Sequence, residues 1–372
     1  MGFVAITEDY PWDRLAPYAE RAAQHPGGIV DLSIGTPVDP TPASVRAALA
    51  DAADAPGYPT VVGTSELRQA MVDWFTRRRR VEGLTTAGVM ATIGSKELVG
   101  LLPSLLGIGA GDVVVVPASA YPTYEVGARA AGAEVLASDD VAAWADDPRV
   151  RLVWVNSPGN PTGAVASVER LHEVVTAARA LGAVVASDEC YAELGWVEPW
   201  VSDGVPCVLD PRVAGATHRG LLAAYSLSKQ SNLAGYRAGL LAGDPELMAR
   251  IVLMRRHLGL ILPAPVQAAM AVALADDAHV AAQREVYRRR RESLLPALLT
   301  AGFAIDHSEA GLYLWARSLD GADCWATLDR LAALGILAGA GEFYGAGSEH
   351  HVRFALTAPD DRIAAAATRL TP

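Results

Sequence analysis

Ser226-Leu227-Ser228-Lys229, running on through Asn232 to Gly235-Tyr236-Arg237, brings together residue types that suit one kind of chemistry. Leu221 to Tyr225 before it reads as a short buried strand, and Gly239 to Gly243 after it as another. A lysine at the end of an apolar strand is costly to bury as an ammonium. Its amine is useful there once its pKa falls, which is what Schiff-base chemistry requires. Ser226 stands three residues before Lys229 and Arg237 eight after, so a hydroxyl and a guanidinium can converge on one phosphate. An amine for an aldehyde and a guanidinium for a phosphate together suggest pyridoxal phosphate (PLP). Taken alone, S-x-S-K fits a snorkelling surface lysine in a serine-rich turn equally well.

The surrounding chain supplies elements able to position such a site. An amphipathic helix is expected over 12–25, a strand over 29–34, and helices over 43–53 and 65–80. The unit Val89–Ile93, Gly94-Ser95-Lys96 and a helical stretch is a strand, a glycine and a helix N-terminus. Unpaired amides and the helix dipole make that a cradle for an anion. Near-continuous apolar strands follow at 112–117, 151–155 and 183–187, with a helix between, capped by Ser167 and ended by Gly182. Strands of this kind imply a mostly parallel sheet covered on both faces, with ligands outside the carboxyl ends. Ser95, Tyr121, Asn160, Asp188 and Lys229 all lie just after strands and so can share one crevice. Beyond Leu262-Pro263-Ala264-Pro265 the pattern changes to a long helical stretch, 266–301, and short strands near 303–305, 311–316 and 352–356. That reads as a separate α+β domain.

Composition sets outer bounds. A chain of 372 residues exceeds the length at which one core usually splits. With 42 acidic and 31 basic residues, it is not expected to bind nucleic acid or anionic membranes generally. Arg77-Arg78-Arg79-Arg80 closes a helical pattern and is read as a solvated helix end, where cations are favoured. Cys190, Cys207 and Cys324 are odd in number and far apart, which fits a reducing cytosol. Met1 to Pro11 lacks the pattern of a signal peptide, and no apolar run is long enough to span a membrane. A cytoplasmic protein is expected. Adjacent His350 and His351 lack metal-ligand spacing and are read as surface residues; no metal is expected. Gly339 to Gly345 fails the dinucleotide fingerprint.

Asn160-Pro161-Thr162-Gly163, Asp188-Glu189-Cys190-Tyr191, Ser226-Leu227-Ser228-Lys229 and Arg237, in this order, resemble fold-type I PLP-dependent aminotransferases of class I/II. The resemblance runs essentially end to end. Four further stretches look like the actinobacterial N-succinyldiaminopimelate aminotransferases of lysine biosynthesis. These are Tyr10 to Asp13, Leu32 to Pro40, Ser231 to Arg237 and Ser308 to Trp315. The implied fold is α/β, with a mostly parallel central sheet, helices on both faces and a smaller α+β domain. Residues 1–44 would form an N-terminal arm and part of the small domain, 45–265 the large PLP-binding domain, and 266–372 the C-terminal small domain.

The resemblance also implies roles. Lys229 would anchor PLP and later shuttle the substrate proton. Asp188 would keep the pyridine nitrogen protonated, so that the ring accepts carbanion charge. Tyr191 and Asn160 would donate to the ring 3′-oxygen, and Tyr121 would stack on its face. The phosphate would take Ser226, Arg237 and the amides of Gly94, Ser95 and Lys96, with Tyr58 arriving from a partner subunit of a homodimer. Arg353 would bind the substrate α-carboxylate as a fork, helped by the Gly35 amide and Asn160. Lys96 departs from the small or neutral residue many relatives carry, so its side chain adds charge at the phosphate or points elsewhere. For a distal acidic group Arg14, Arg129 and Arg255 stay open. The implied reaction is amino transfer between glutamate and N-succinyl-2-amino-6-oxopimelate. The alternatives are another class I aminotransferase or a PLP β-lyase, and more remotely an aminotransferase-like effector-binding regulator.

Overall fold

The computed structural model describes residues 3–6 and 10–371; residues 1, 2 and 7–9 of the expected arm and residue 372 lie outside the described part. In chain order the strands are β1 (Val30–Asp31), β2 (Val89–Ile93), β3 (Val113–Val116), β4 (Glu134–Ala137), β5 (Val150–Asn156), β6 (Val184–Asp188) and β7 (Leu221–Ser226). They continue as β8 (Ala238–Gly243), β9 (Phe303–Ile305), β10 (Tyr313–Ser318), β11 (Ile336–Leu337), β12 (Gly339–Ala340) and β13 (His351–Ala355).

The main sheet has the order β2-β8-β7-β6-β5-β3-β4. Strands β7, β6, β5, β3 and β4 pair in parallel, and β8 runs antiparallel to both of its neighbours. Why these strands are apolar at nearly every position is visible in β5. Val153 enters the core on one face, while Leu152 and Trp154 enter the core on the other. Helices Ser65–Arg79, Val168–Leu181 and Ala264–Ala275 cover the first face. Helices Gly94–Leu105, Thr123–Ala131 and Pro245–Leu258 cover the second. Ser167 caps its helix by accepting the Arg170 amide at 3.2 Å, and Gly182 ends it at φ 69°, as expected.

A smaller antiparallel sheet, β12-β13-β10-β9, and the parallel pair β1-β11 lie with a separate apolar cluster. That cluster joins Leu15, Val30 and Leu32 to the helices Asp277–Thr300, Cys324–Ala333 and Asp360–Leu370. We propose that it marks a small domain built from both ends of the chain, with its boundary at Asp276 rather than at 265. Ala269, Met270, Ala273 and Leu274 of the preceding helix bury into the main-sheet core instead. Asp276 also breaks the single helix expected over 266–301. Its carboxylate accepts the Ala278 and His279 amides and so caps the second helix.

Other local expectations shift. The strand expected over 29–34 shrinks to Val30–Asp31, and the Ser33 carbonyl after it is taken by Arg353. The 12–25 segment divides into a 3₁₀ turn, Pro11–Leu15, and the helix Ala16–Ala23. In the arginine run, Arg79 is buried rather than solvated, paired with Glu189 at 2.8 Å and with the Val205 carbonyl. His351 belongs to β13, bonds Asp306 at 2.8 Å and stacks on Trp315, so it is half-buried in the strand rather than placed before it. No described helix is long and apolar enough to cross a membrane.

Candidate active site

The carboxyl ends of β2, β3, β5, β6 and β7 open on one rim, and the single reversed strand completes it. Because β8 runs the other way, the residue just before it, Arg237, reaches the same rim. The cavity there measures about 300 Å³ and is lined by Ser95, Lys96, Tyr121, Asn160, Asp188, Tyr191, Ser226, Lys229, Arg237 and Arg353, with Gly35. Five strand ends and the small domain thus bring together nearly every residue expected at the site. Gly94 and Tyr58 are not in its lining: Gly94 starts the helix that carries Ser95 and Lys96, and Tyr58 follows the bend at Gly57, fully exposed.

Lys229 lies in the short turn of helix Leu227–Gln230, with its amine donating to the Gly35 carbonyl. Burial pushes that amine below the ordinary lysine value, and the Tyr313 hydroxyl nearby partly offsets it. The chain has two lysines in all, Lys96 and Lys229, and both line this cavity. Asp188 ends β6 almost fully buried. Burial raises its carboxyl, opposed by hydrogen bonds from the Cys190 amide at 3.2 Å and the Tyr124 hydroxyl at 2.8 Å.

Elsewhere in the cavity lining, Ser226 Oγ donates to Ser228 Oγ at 2.8 Å, and Arg237 donates to the Ala234 carbonyl at 2.9 Å. Gly94, at φ 70°, begins the helix Gly94–Leu105, and a Cβ there would lie 2.2 Å from Arg237 Nη2. Glycine is therefore required for the guanidinium to lie against the helix start. Lys96 does not turn its amine into that cradle; Nζ lies over the Tyr10 ring, 5.4 Å from its centroid. Tyr121 stands edge-on to Tyr124 just before the helix Thr123–Ala131.

Arg353 of β13 is buried, donating to Asn160 Oδ1 at 2.8 Å and to the Ser33 carbonyl at 2.6 Å. Its guanidinium lies 3.9 Å from the Tyr313 ring centroid and 5.0 Å from that of Tyr344, while its Nε has no partner among the described residues. The arginines considered for a distal acidic group lie elsewhere. Arg255 is fully buried against Glu97, Arg14 pairs with Glu342, and Arg129 pairs with Glu125. None of them lines the cavity.

Sequence reasoning missed Tyr124, Tyr313 and the wall formed by Tyr10 and Trp12. Tyr124 had a signal: three residues after Tyr121, in the first turn of a helix that leaves a strand end. Tyr313 had none, because a tyrosine opening a strand of the other domain looks like any core aromatic.

An open α/β sheet carrying an activated lysine, a buried acid and a phosphate cradle at its strand ends defines a PLP-dependent enzyme of fold type I. A profile of the family "Aminotransferase class I and II" matches residues 28–370, and the chain belongs to that family. It is therefore a PLP-dependent aminotransferase, acting on amino acids and 2-oxo acids. A probable aminotransferase of Mycobacterium tuberculosis is 52% identical over 370 residues, 100% of this chain and 87% of that protein. The 4-dedimethylamino-4-oxo-anhydrotetracycline transaminase OxyQ of Streptomyces rimosus is 52% identical over 363 residues, covering 98% of this chain and 99% of that one. Among solved structures, the N-succinyldiaminopimelate aminotransferase from M. tuberculosis is similar at a TM-score of 0.84. It is 28% identical, over 98% of this chain and 99% of that chain.

The groups present fit PLP. A depressed amine suits its aldehyde, and a carboxyl that burial drives upward gains from a cationic ring nitrogen. The Gly94–Arg237 approach sets a guanidinium against a helix start, a pairing that would suit an anion such as the PLP phosphate. When bound, PLP supplies the electron sink that lets a substrate α-proton leave.

Proposed function

We propose that the chain is a succinyldiaminopimelate transaminase, exchanging an amino group between L-glutamate and N-succinyl-2-amino-6-oxopimelate in lysine and diaminopimelate biosynthesis. Lys229 anchors PLP and carries the substrate proton, and Asp188, held by Tyr124, faces the ring nitrogen. Asn160 and Tyr191 face the ring oxygen, Tyr121 the ring, and Ser226, Arg237 and the Gly94, Ser95 and Lys96 amides the phosphate. Arg353 takes the α-carboxylate, aided by Gly35. The protein works as a cytoplasmic homodimer in which Tyr58 reaches the partner's phosphate site.

The observation that carries the substrate class is the pair of cations left over once the cofactor is provided for. Arg353 is buried with an unpartnered Nε, and Lys96 stands at the mouth with no acidic partner among the described residues. Two separated cations favour a substrate with carboxylates at both ends. The likeness to the M. tuberculosis succinyldiaminopimelate enzyme supports the same reading. The 52% identity to the Streptomyces transaminase favours a second one, in which the amino acceptor is a ketone like that of an oxo-anhydrotetracycline.

Amino-group exchange measured with glutamate, succinyl-diaminopimelate, an aromatic amino acid and an oxo-anhydrotetracycline separates the two. The proposal expects exchange with the first two and rejection of the last. Exchange with glutamate but none with succinyl-diaminopimelate would remove the specific substrate and leave an aminotransferase of another specificity.

A further inference from the structure

Tyr313 touches the carboxylate clamp and the lysine site at once. It opens β10 in the small domain, is almost fully buried, and lines the cavity. One face of its ring carries the Arg353 guanidinium, 3.9 Å from the centroid. Its hydroxyl meets that of Tyr191 at 3.1 Å. The same hydroxyl fills the space beside Gly35, where a Cβ would lie 2.3 Å from it. The Gly35 carbonyl in turn accepts the Lys229 amine. Gly35 thus does more than offer an amide: its missing side chain admits the phenol next to the lysine.

We propose that Tyr313 is a positioning residue with two separable duties, its ring face orienting Arg353 toward the substrate α-carboxylate and its hydroxyl supporting the protonated form of Lys229. The first duty follows from shape and charge. A guanidinium tied at both terminal nitrogens is still free to rock about its long axis, and an aromatic face beneath it favours the flat orientation. The second duty follows from the neighbours of the phenol. Facing it are Lys229 from the Leu227–Gln230 turn, Arg353 from β13, and Tyr191 and Cys190 from the loop after β6. Tyr121, Tyr287 and Tyr344 also feel its charge. Burial alone would raise the phenol, but the Arg353 and Lys229 cations overcome it and hold it below the usual tyrosine value. Burial lifts the Tyr191 phenol well above its usual value, so the two hydroxyls that meet at 3.1 Å are pushed in opposite directions.

The inference rests on the reading of Arg353 as the α-carboxylate clamp, and the test separates the two. Tyr313→Phe keeps the ring and deletes the hydroxyl; Tyr313→Leu deletes both. Binding of glutarate, a dicarboxylate with no amino group to transfer, is measured calorimetrically on the holoenzyme. The acylation rate of Lys229 against pH is followed by mass spectrometry on the apoprotein, where two lysines are easily resolved. Tyr313→Phe is expected to bind glutarate within about twofold of wild type, and Tyr313→Leu about tenfold more weakly. The Lys229 midpoint is expected to fall in both. An unchanged midpoint in Tyr313→Phe would overturn the hydroxyl duty, and wild-type affinity in a folded Tyr313→Leu would overturn the ring duty. Arg353→Lys is the control: if it binds glutarate as wild type does, the clamp reading falls and the ring duty with it. If it binds weakly while Tyr313→Leu does not, the clamp reading stands and only the ring duty of Tyr313 is lost.

Discussion

Lys229 shows how a functional residue is held against its own stability. Burying an amine in the cavity wall disfavours the ammonium, and the Gly35 carbonyl and Tyr313 hydroxyl offset only part of that cost. A lysine whose pKa is lower folded than unfolded costs nothing above the unfolded value. The cost grows as pH falls toward the folded value and is complete below it. Lys229→Met should therefore make the apoprotein more stable to urea at about pH 7 than wild type, with the difference closing near about pH 11. A variant no more stable at neutral pH would mean that the site does not depress the amine. Asp188 is the counterpart, a carboxyl raised by burial but held by two donors. The lysine, the acid, the serine and the arginine that line the cavity were all readable as residue types, because the proposed chemistry demands one kind of side chain at each. Tyr313 was not readable, because its importance comes from what it touches.

At the scale of elements, the site depends on where strands end and on how neighbouring segments grip them. The helix Ser65–Arg79 grips the loop after β6 through the buried Arg79–Glu189 pair. Breaking such a pair from one side typically costs about 3–5 kcal/mol, so these residues serve the fold beside the catalytic ones. Sequence periodicity placed β2, β3, β5, β6, β7 and β8 to within about two residues, because strands buried on both faces are apolar throughout. It failed where two-residue pairings depend on distant partners, as in β1 with β11, and where Asp276 caps a helix inside an apparently continuous one. Gly94 joins an element to its chemistry. Adding a Cβ at φ 70° is strained by about 1 kcal/mol and also drives Arg237 off the helix start. Gly94→Ala should fold, yet bind PLP at least about tenfold more weakly by equilibrium dialysis, through loss of a charge-assisted phosphate contact. Unchanged PLP affinity would show that Arg237 does not reach the phosphate from this position.

For the whole molecule, the two ends of the chain meet over the main sheet, so Gly35, Tyr313 and Arg353 come from outside the segment that holds Lys229 and Asp188. The proposed homodimer would extend this to a second copy. Tyr58, fully exposed just after the bend at Gly57, suits a residue whose partner lies on another chain. If Lys229→Ala and Tyr58→Ala chains are dissociated, mixed equally and reassociated, roughly half the dimers are mixed, and each holds one intact site. About a quarter of all sites should then be fully active. Recovery no greater than the mean of the parents, with exchange confirmed by mass, would place Tyr58 outside the partner's site. The central claim, that the rim of the sheet is one PLP site anchored on Lys229, is open to a more direct measurement. With two lysines in the chain, both in the cavity, borohydride reduction of the holoenzyme followed by peptide mapping leaves little room for ambiguity. The pyridoxyl group is predicted on Lys229 alone; finding it on Lys96 would contradict the account.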